Sequence, residues 1–141
     1  MKSAGFTLIE LIIILVIIGI LAVSASPIFF DSSGTQSQTA QLKAISILRA
    51  VQQKAMQDTT TSYYVAVTQT TFGTPPYTEE NNLQISNING VSFSPDGINI
   101  GFSALGRPTQ NCVGGCTVTL TESSGISRTI SINKEGFIDA Q

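Results

Sequence analysis

The sequence predicts an α+β chain, a long amino-terminal helix followed by a β-rich head, and three observations carry that expectation. Residues 6–30 form an apolar run that holds a single charge, Glu10. Between Thr39 and Asp58 the apolar side chains Leu42, Ile45, Leu48, Val51 and Ala55 recur at intervals of three and four, the period of one helix face. Beyond Thr59 the pattern changes to short alternating runs rich in β-branched residues, separated by Gly, Pro and Asn turns. The expected organisation is a leader over 1–5, a spanning helix over 6–30, a polar segment and amphipathic helix over 31–58, and a β-rich head over 59–141.

The apolar run justifies the first element. A helix of that length extends about 37 Å, enough to cross a hydrocarbon core of about 30 Å. Lys2 and the amino terminus stand on its amino-terminal side, which keeps that end cytoplasmic and sends the head outward. After Pro27 comes "DSSGTQSQT", whose Gly34 and serines are poor helix formers, so residues 31–38 read as a linker or a weakened stretch of one long helix.

The amphipathic helix needs a surface to cover, and the strands supply it. "SYYVAVTQTTF" (62–72) reads as a strand, and "GTPPYTEENN" (73–82) as a loop. "GINIGFS" alternates Ile98, Ile100 and Phe102 with small polar residues. "CTVTLT", the turn "ESSG" and "ISRTISI" form a hairpin with Ile130 and Ile132 inward, and "NKEG" turns into a short "FID". Alternation of this kind belongs to an antiparallel sheet with one buried face, and the helix is its cover.

Composition excludes several functions. The chain has 7 Lys plus Arg against 9 Asp plus Glu, with no basic cluster, so no electrostatic footprint for nucleic acid is visible. It contains no histidine, which removes the common general base and histidine metal sites, and two cysteines alone do not make a zinc site. Walker-type loops, paired-carboxylate signatures and EF-hand spacing are absent from the sequence. The expectation is a protein that is not an enzyme, with no cofactor and no metal, in which Asp96, Glu122 and Asp139 are solvated surface or turn residues.

Cys112 and Cys116 lie far downstream of the apolar run. Export across a membrane would bring both thiols into an oxidising compartment, where a bridge persists; two free thiols are the alternative. A disulfide closing so short a loop stabilises by only about 2 kcal/mol in the chain-entropy account.

The most specific residues are at the amino terminus. "GFTLIE" at 5–10, followed directly by the apolar run, resembles the processing site of type IV prepilins and type II secretion pseudopilins. The resemblance implies cleavage by a prepilin peptidase after Gly5 and methylation of the new amino-terminal residue, Phe6. It also implies an assembly role for Glu10, the fifth residue of the mature chain, a helix kink at Pro27, and a small residue, Gly19, in mid-helix. "LGRPTQNCVGGCTVTLT", "ISRTISINKEGFIDA" and "PIFFD" are similar to H-type minor pseudopilins and to minor pilins of the mannose-sensitive haemagglutinin type. The three-residue loop between the cysteines departs from the family's long carboxy-terminal loop and is too small to frame a receptor-binding surface.

Physics gives a separate reason for Glu10, because an ionisable group in a membrane-embedded run is costly and needs a partner. The Phe6 amine offers a positive charge four residues away, on its own helix or on a neighbour; headgroup depth without any partner is the bland alternative. The family implies other pilin or pseudopilin subunits, an inner-membrane assembly platform and, before assembly, membrane lipid as partners. It implies an inner-membrane protein with a periplasmic head that passes into a pilus or pseudopilus. The competing reading is a secreted or periplasmic binding protein or enzyme whose ordinary signal is cut after Val23-Ser24-Ala25.

Overall fold

The structure, a computed structural model, describes residues 7–30, 34–77, 82–86 and 90–141, with the side chains of the first stretch described as far as Ala22. The chain divides into two units, Met1–Ser32 and Ser33–Gln141.

The first unit contains α1, Leu8–Phe30. Its large apolar side chains from Leu8 to Leu21 are between 42% and 77% exposed, so no side of the helix is covered. A helix apolar all round finds its environment in lipid or among other helices. Among the described residues no helix is long and apolar enough to cross a membrane, since those of α1 with described side chains end at Ala22. Pro27 falls within α1, but its side chain, and with it the expected kink, lies outside the described residues.

The second unit is built on α2, Thr35–Gln57. It starts four residues before the expected Thr39, so residues 35–38 are helix; residues 31–33 lie outside the described residues. Gly34 precedes it in the left-handed region (φ 84°), a conformation that favours glycine. The buried face comprises Ser37, Ala40, Gln41, Ala44, Ile45, Ile47, Leu48, Val51 and Ala55. Leu42, expected on this face, is 61% exposed. At 3.6 residues per turn it points about 140° away from the face centred near Ala44 and Leu48.

Asp58 ends α2 in an extended conformation, its N–H donating to Lys54 O at 2.9 Å. Its carboxylate accepts the Thr60 N–H (2.9 Å), the Thr60 hydroxyl and the Tyr63 hydroxyl (2.9 Å). The Thr60 hydroxyl, then the Thr60 amide, then the Tyr63 hydroxyl hold the carboxyl well below the usual carboxylate range.

Nine strands follow: β1 Tyr64–Val67, β2 Thr71–Gly73, β3 Gln84–Ser86, β4 Val91–Ser94, β5 Ile98–Phe102, β6 Pro108–Gln110, β7 Gly115–Glu122, β8 Ser127–Asn133 and β9 Ile138–Ala140. They make two antiparallel sheets rather than the single one expected, ordered β3-β2-β1-β5-β6 and β4-β7-β8-β9. The run 62–72, expected as one strand, turns at Thr68, whose hydroxyl accepts the Thr71 N–H at 2.9 Å and so separates β1 from β2. The strands β3, β4 and β6 were not expected. Pro108 opens β6 at a sheet edge, where a missing N–H is tolerated. The β7–β8 hairpin matches expectation, with Val118 opposite Ile130, and Ile130 and Ile132 buried. Residues 74–77 form the expected loop as far as it is described, and 78–81 lie outside the described residues.

Both sheets pack against α2, and the core draws on all three layers: Ala44, Leu48 and Val51 from the helix, Val65, Phe72 and Ile100 from one sheet, Val118, Leu120 and Ile130 from the other. The sheets also join each other. The rings of Phe72 on β2 and Phe93 on β4 stack with centroids 5.4 Å apart, and the Phe93 N–H donates to Gln69 O at 3.0 Å. Two glutamines of α2 satisfy backbone carbonyls at the sheet ends. Gln41 Nε2 donates to Thr129 O and Gln52 Nε2 to Gly106 O and Gly136 O, each at 2.8 Å. On the outer side of the second sheet the cross-strand pairs are hydroxyl on hydroxyl: Thr117 with Ser131, Thr119 with Thr129, Thr121 with Ser127.

Two measurements check this account. Phe72→Ala should destabilise the head by about 3–5 kcal/mol in urea denaturation, because it removes a fully buried ring and the inter-sheet stack together. The lowered carboxyl of Asp58 contributes stability that is complete above the unfolded value of about 4 and is lost as pH falls through the folded value. Asp58→Asn should therefore lower stability at pH 7 and flatten its decline in acid; an unchanged acid limb in the variant would contradict the assigned partners.

Candidate functional site

The amino-terminal residues are local, so the first turn of α1 is the place to assemble them. Gly5 and Phe6, expected as the cleavage and methylation positions, lie outside the described residues. Glu10 is exposed in the first turn of α1. Its N–H donates to Thr7 Oγ1 at 3.4 Å, and its Oε2 accepts the Thr7 N–H at 3.5 Å. This is a reciprocal capping box, Thr-Leu-Ile-Glu, at the long end of hydrogen-bond distances.

The box changes the question that Glu10 poses. A helix leaves its first N–H groups without intrahelical partners and carries positive potential at that end. The carboxylate answers both from within its own helix, and Oε2 reaches back to the amide that follows Phe6. A carboxylate has several lone pairs, so the box leaves acceptor capacity for a cation. Sequence reasoning looked for an opposite charge and passed over the amide, although Thr-x-x-Glu ahead of an apolar run is itself a readable signal.

The cysteines come together as expected, bonded to each other with Cα atoms 5.1 Å apart. Cys112 is fully buried and Cys116 partly so. The intervening turn needs Gly115, whose φ is 111° and where a Cβ would stand 2.8 Å from Ile132 O. Its N–H closes the turn on Cys112 O at 2.9 Å. Beside it an open groove of about 500 Å³ runs past Thr117, Ser131, Asn133 and Lys134. It brings no acid and base together. Among the described residues no group of three His, Cys, Asp or Glu side chains could hold a metal.

Of the three carboxylates expected at the surface, Asp139 is exposed, and exposed Asp96 accepts the Gln69 N–H at 2.9 Å. Glu122 is a correction. It is only 7% exposed, at the end of β7 with its side chain on the same inward side as Val118 and Leu120. Its Oε2 accepts the Gly34 N–H at 3.0 Å and the Ser37 hydroxyl at 3.1 Å. The glycine before α2 has no side chain with which to cap the helix, and a carboxylate 88 residues away accepts the N–H of that glycine, as the glutamate of a capping box does from within a helix. Nothing local to Glu122 in the sequence announces it.

Comparison with known proteins returns one family. The model described as the prokaryotic N-terminal methylation motif matches residues 1–26. No curated protein and no solved structure matches the chain. The matched motif, an amino-terminal signature found in type IV pilins, covers 26 of the 141 residues and leads into α1, and the α+β head follows it in the sequence.

Proposed function

We propose that the chain is a structural, non-enzymatic subunit, and a minor one, of a type IV pilus or a type II secretion pseudopilus. The observation that carries this reading is the methylation motif running directly into a helix with uncovered apolar side chains on every side. A prepilin peptidase removes Met1–Gly5 and Phe6 becomes the methylated amino terminus. The segment 6–30 holds the precursor in the inner membrane, amino terminus inside and head in the periplasm. On assembly it passes from lipid into a bundle of like helices, and since lipid tails are as apolar as leucine the exchange is nearly neutral for the apolar side chains.

Glu10 then supplies what the apolar side chains cannot. Apolar contacts among such helices tolerate sliding, whereas a carboxylate facing a new amino-terminal amine fixes one register. An ionised acid enclosed among apolar helices is costly, so a charged partner is worth acquiring. The capping box supports the pairing by directing the carboxylate toward the amino-terminal end of α1, the end on which processing creates the amine. The H-type and haemagglutinin-pilus likenesses of the carboxy-terminal hairpin favour a minor subunit, and the three-residue disulfide loop fits a head that does not present a large receptor loop.

Intact mass measurement of the protein from membranes should show loss of the first five residues and one added methyl group on Phe6. A mature chain beginning at Ser26 would sink the reading in favour of a secreted protein with an ordinary signal. Glu10→Ala should be processed normally yet enter filaments at least about tenfold less, the factor that losing one charge pair of about 1.4 kcal/mol implies. Normal incorporation of that variant, scored by immunoblot of sheared filaments, would remove the pairing role.

A further inference from the structure

The chain passes from α1 into the head at Gly34, and the bonds gathered there differ from those of an ordinary helix start. A serine or aspartate at position 34 would cap α2 from within and tie the helix only to itself. Here the bond to the helix start comes from Glu122, at the end of the longest strand, and one carboxylate oxygen holds both the Gly34 N–H and the Ser37 hydroxyl. Arg128, opposite Leu120 on β8, donates from Nε to Ser37 Oγ at 3.2 Å and from Nη2 toward Gly34 O at 3.5 Å. The first turn of α2 is therefore gripped by both strands of the β7–β8 hairpin. Ser37 is fully buried and Glu122 nearly so, so water does not compete freely for these bonds.

We propose that Glu122 is the mechanical anchor of the head: a strap by which tension arriving along the chain from α1 is passed to the second sheet at the first residues of α2. The inference rests on the subunit reading for the source of the load. Gly34 is the first described residue of the head, and its N–H is bonded to the sheet rather than to its own helix. Pull that enters there reaches β7, which is paired along its length with β8 and also with β4. Without the carboxylate, the first turn keeps only the two longer bonds from Arg128, to Ser37 Oγ and Gly34 O, before the next tie at Gln41 on Thr129 O, so the stretch from Gly34 to Ala40 is held more weakly. The small apolar contact of that turn, Ala40, offers little resistance of its own.

The test uses the full chain in detergent micelles, stretched between thiols introduced as Phe30→Cys, at the end of α1 so that the helix is outside the load path, and Ser124→Cys; the native cysteines are bonded to each other and do not compete. The wild-type head should hold until it ruptures, with no earlier extension. Glu122→Leu, which keeps the bulk and removes the acceptor, should add an early low-force step of about 12 Å, the gain when the six residues from Thr35 to Ala40 pass from helix to extended chain. Hydrogen exchange at the Gly34 amide should accelerate about tenfold to a hundredfold in the same variant, as expected for a lost charge-assisted bond, while Leu48 and Val51 keep their rates. If Glu122→Leu does not fold, Ser37→Ala removes one of the two bonds that the carboxylate accepts, together with the nearer bond from Arg128, and should lower the force at which the first turn leaves the sheet. Identical traces in wild type and variant, or an early step already present in wild type, would overturn the anchor. Neither measurement requires a filament: a chain that never assembles defeats the subunit reading and leaves the anchor standing, while a missing step defeats the anchor alone.

Discussion

One helix face serving two sheets is the constraint on which the head depends. Ala40, Ala44 and Ala55 run along the buried side of α2, and their small size lets strands approach closely where a larger side chain would hold them off. Ile45 and Ile47 stand on the flanks of that stripe, with Leu48 and Val51 between them. Each sheet alone would leave its inner face in water, and two sheets of three- to eight-residue strands bury enough apolar surface only by sharing a cover. The Phe72–Phe93 stack closes the seam that α2 leaves between the sheets.

Polar groups follow the same pattern of sharing. α2 carries no acid, and its buried polar side chains are short or amide: Ser37 and Gln41, joined by the half-buried Gln52. Each reaches a group that the sheets leave over, a carboxylate at one end and strand-end carbonyls further along. Burying a polar atom without a partner costs about 1–3 kcal/mol, so these pairings fix where along the sheets α2 sits. The apolar contacts supply the larger part of the attraction and the amides supply the address.

How much of this was legible in the sequence depends on the distance over which each feature is decided. The apolar run, the α2 periodicity and the β7–β8 hairpin are written in residues close to one another, and their placement agrees with the structure to within a few positions. Leu42 misled because a chain of three-residue steps from Leu42 through Ile45 to Leu48 spirals off the true face, which is centred on alanines that periodicity reads weakly. The strands β3, β4 and β6 are three or four residues long, too short for alternation to register, and β4 exists because a distant partner pairs with it, as Glu122 does with Val91. The division into two sheets is a property of that pairing. At the amino terminus the motif was readable in full and the Glu10 capping box was readable too, whereas the Glu122 bond to Gly34 joins residues 88 apart and no local pattern contains it.

The outer side of the second sheet carries threonine and serine on both long strands where solvent-facing positions commonly hold lysine and glutamate. Ser92 and Ser94 on β4 continue the rows, opposite Thr121 and Thr119. The field of a charged surface extends about 8 Å at physiological ionic strength and contracts as salt is added. Along β4, β7 and β8 a surface of hydroxyls has almost no such field to lose, and the exposed carboxylate of Asp139 on the edge strand β9, opposite Ser131, is where a field remains. The character of that face is therefore set by short-range hydrogen bonding over the central strands and by charge only at its edge.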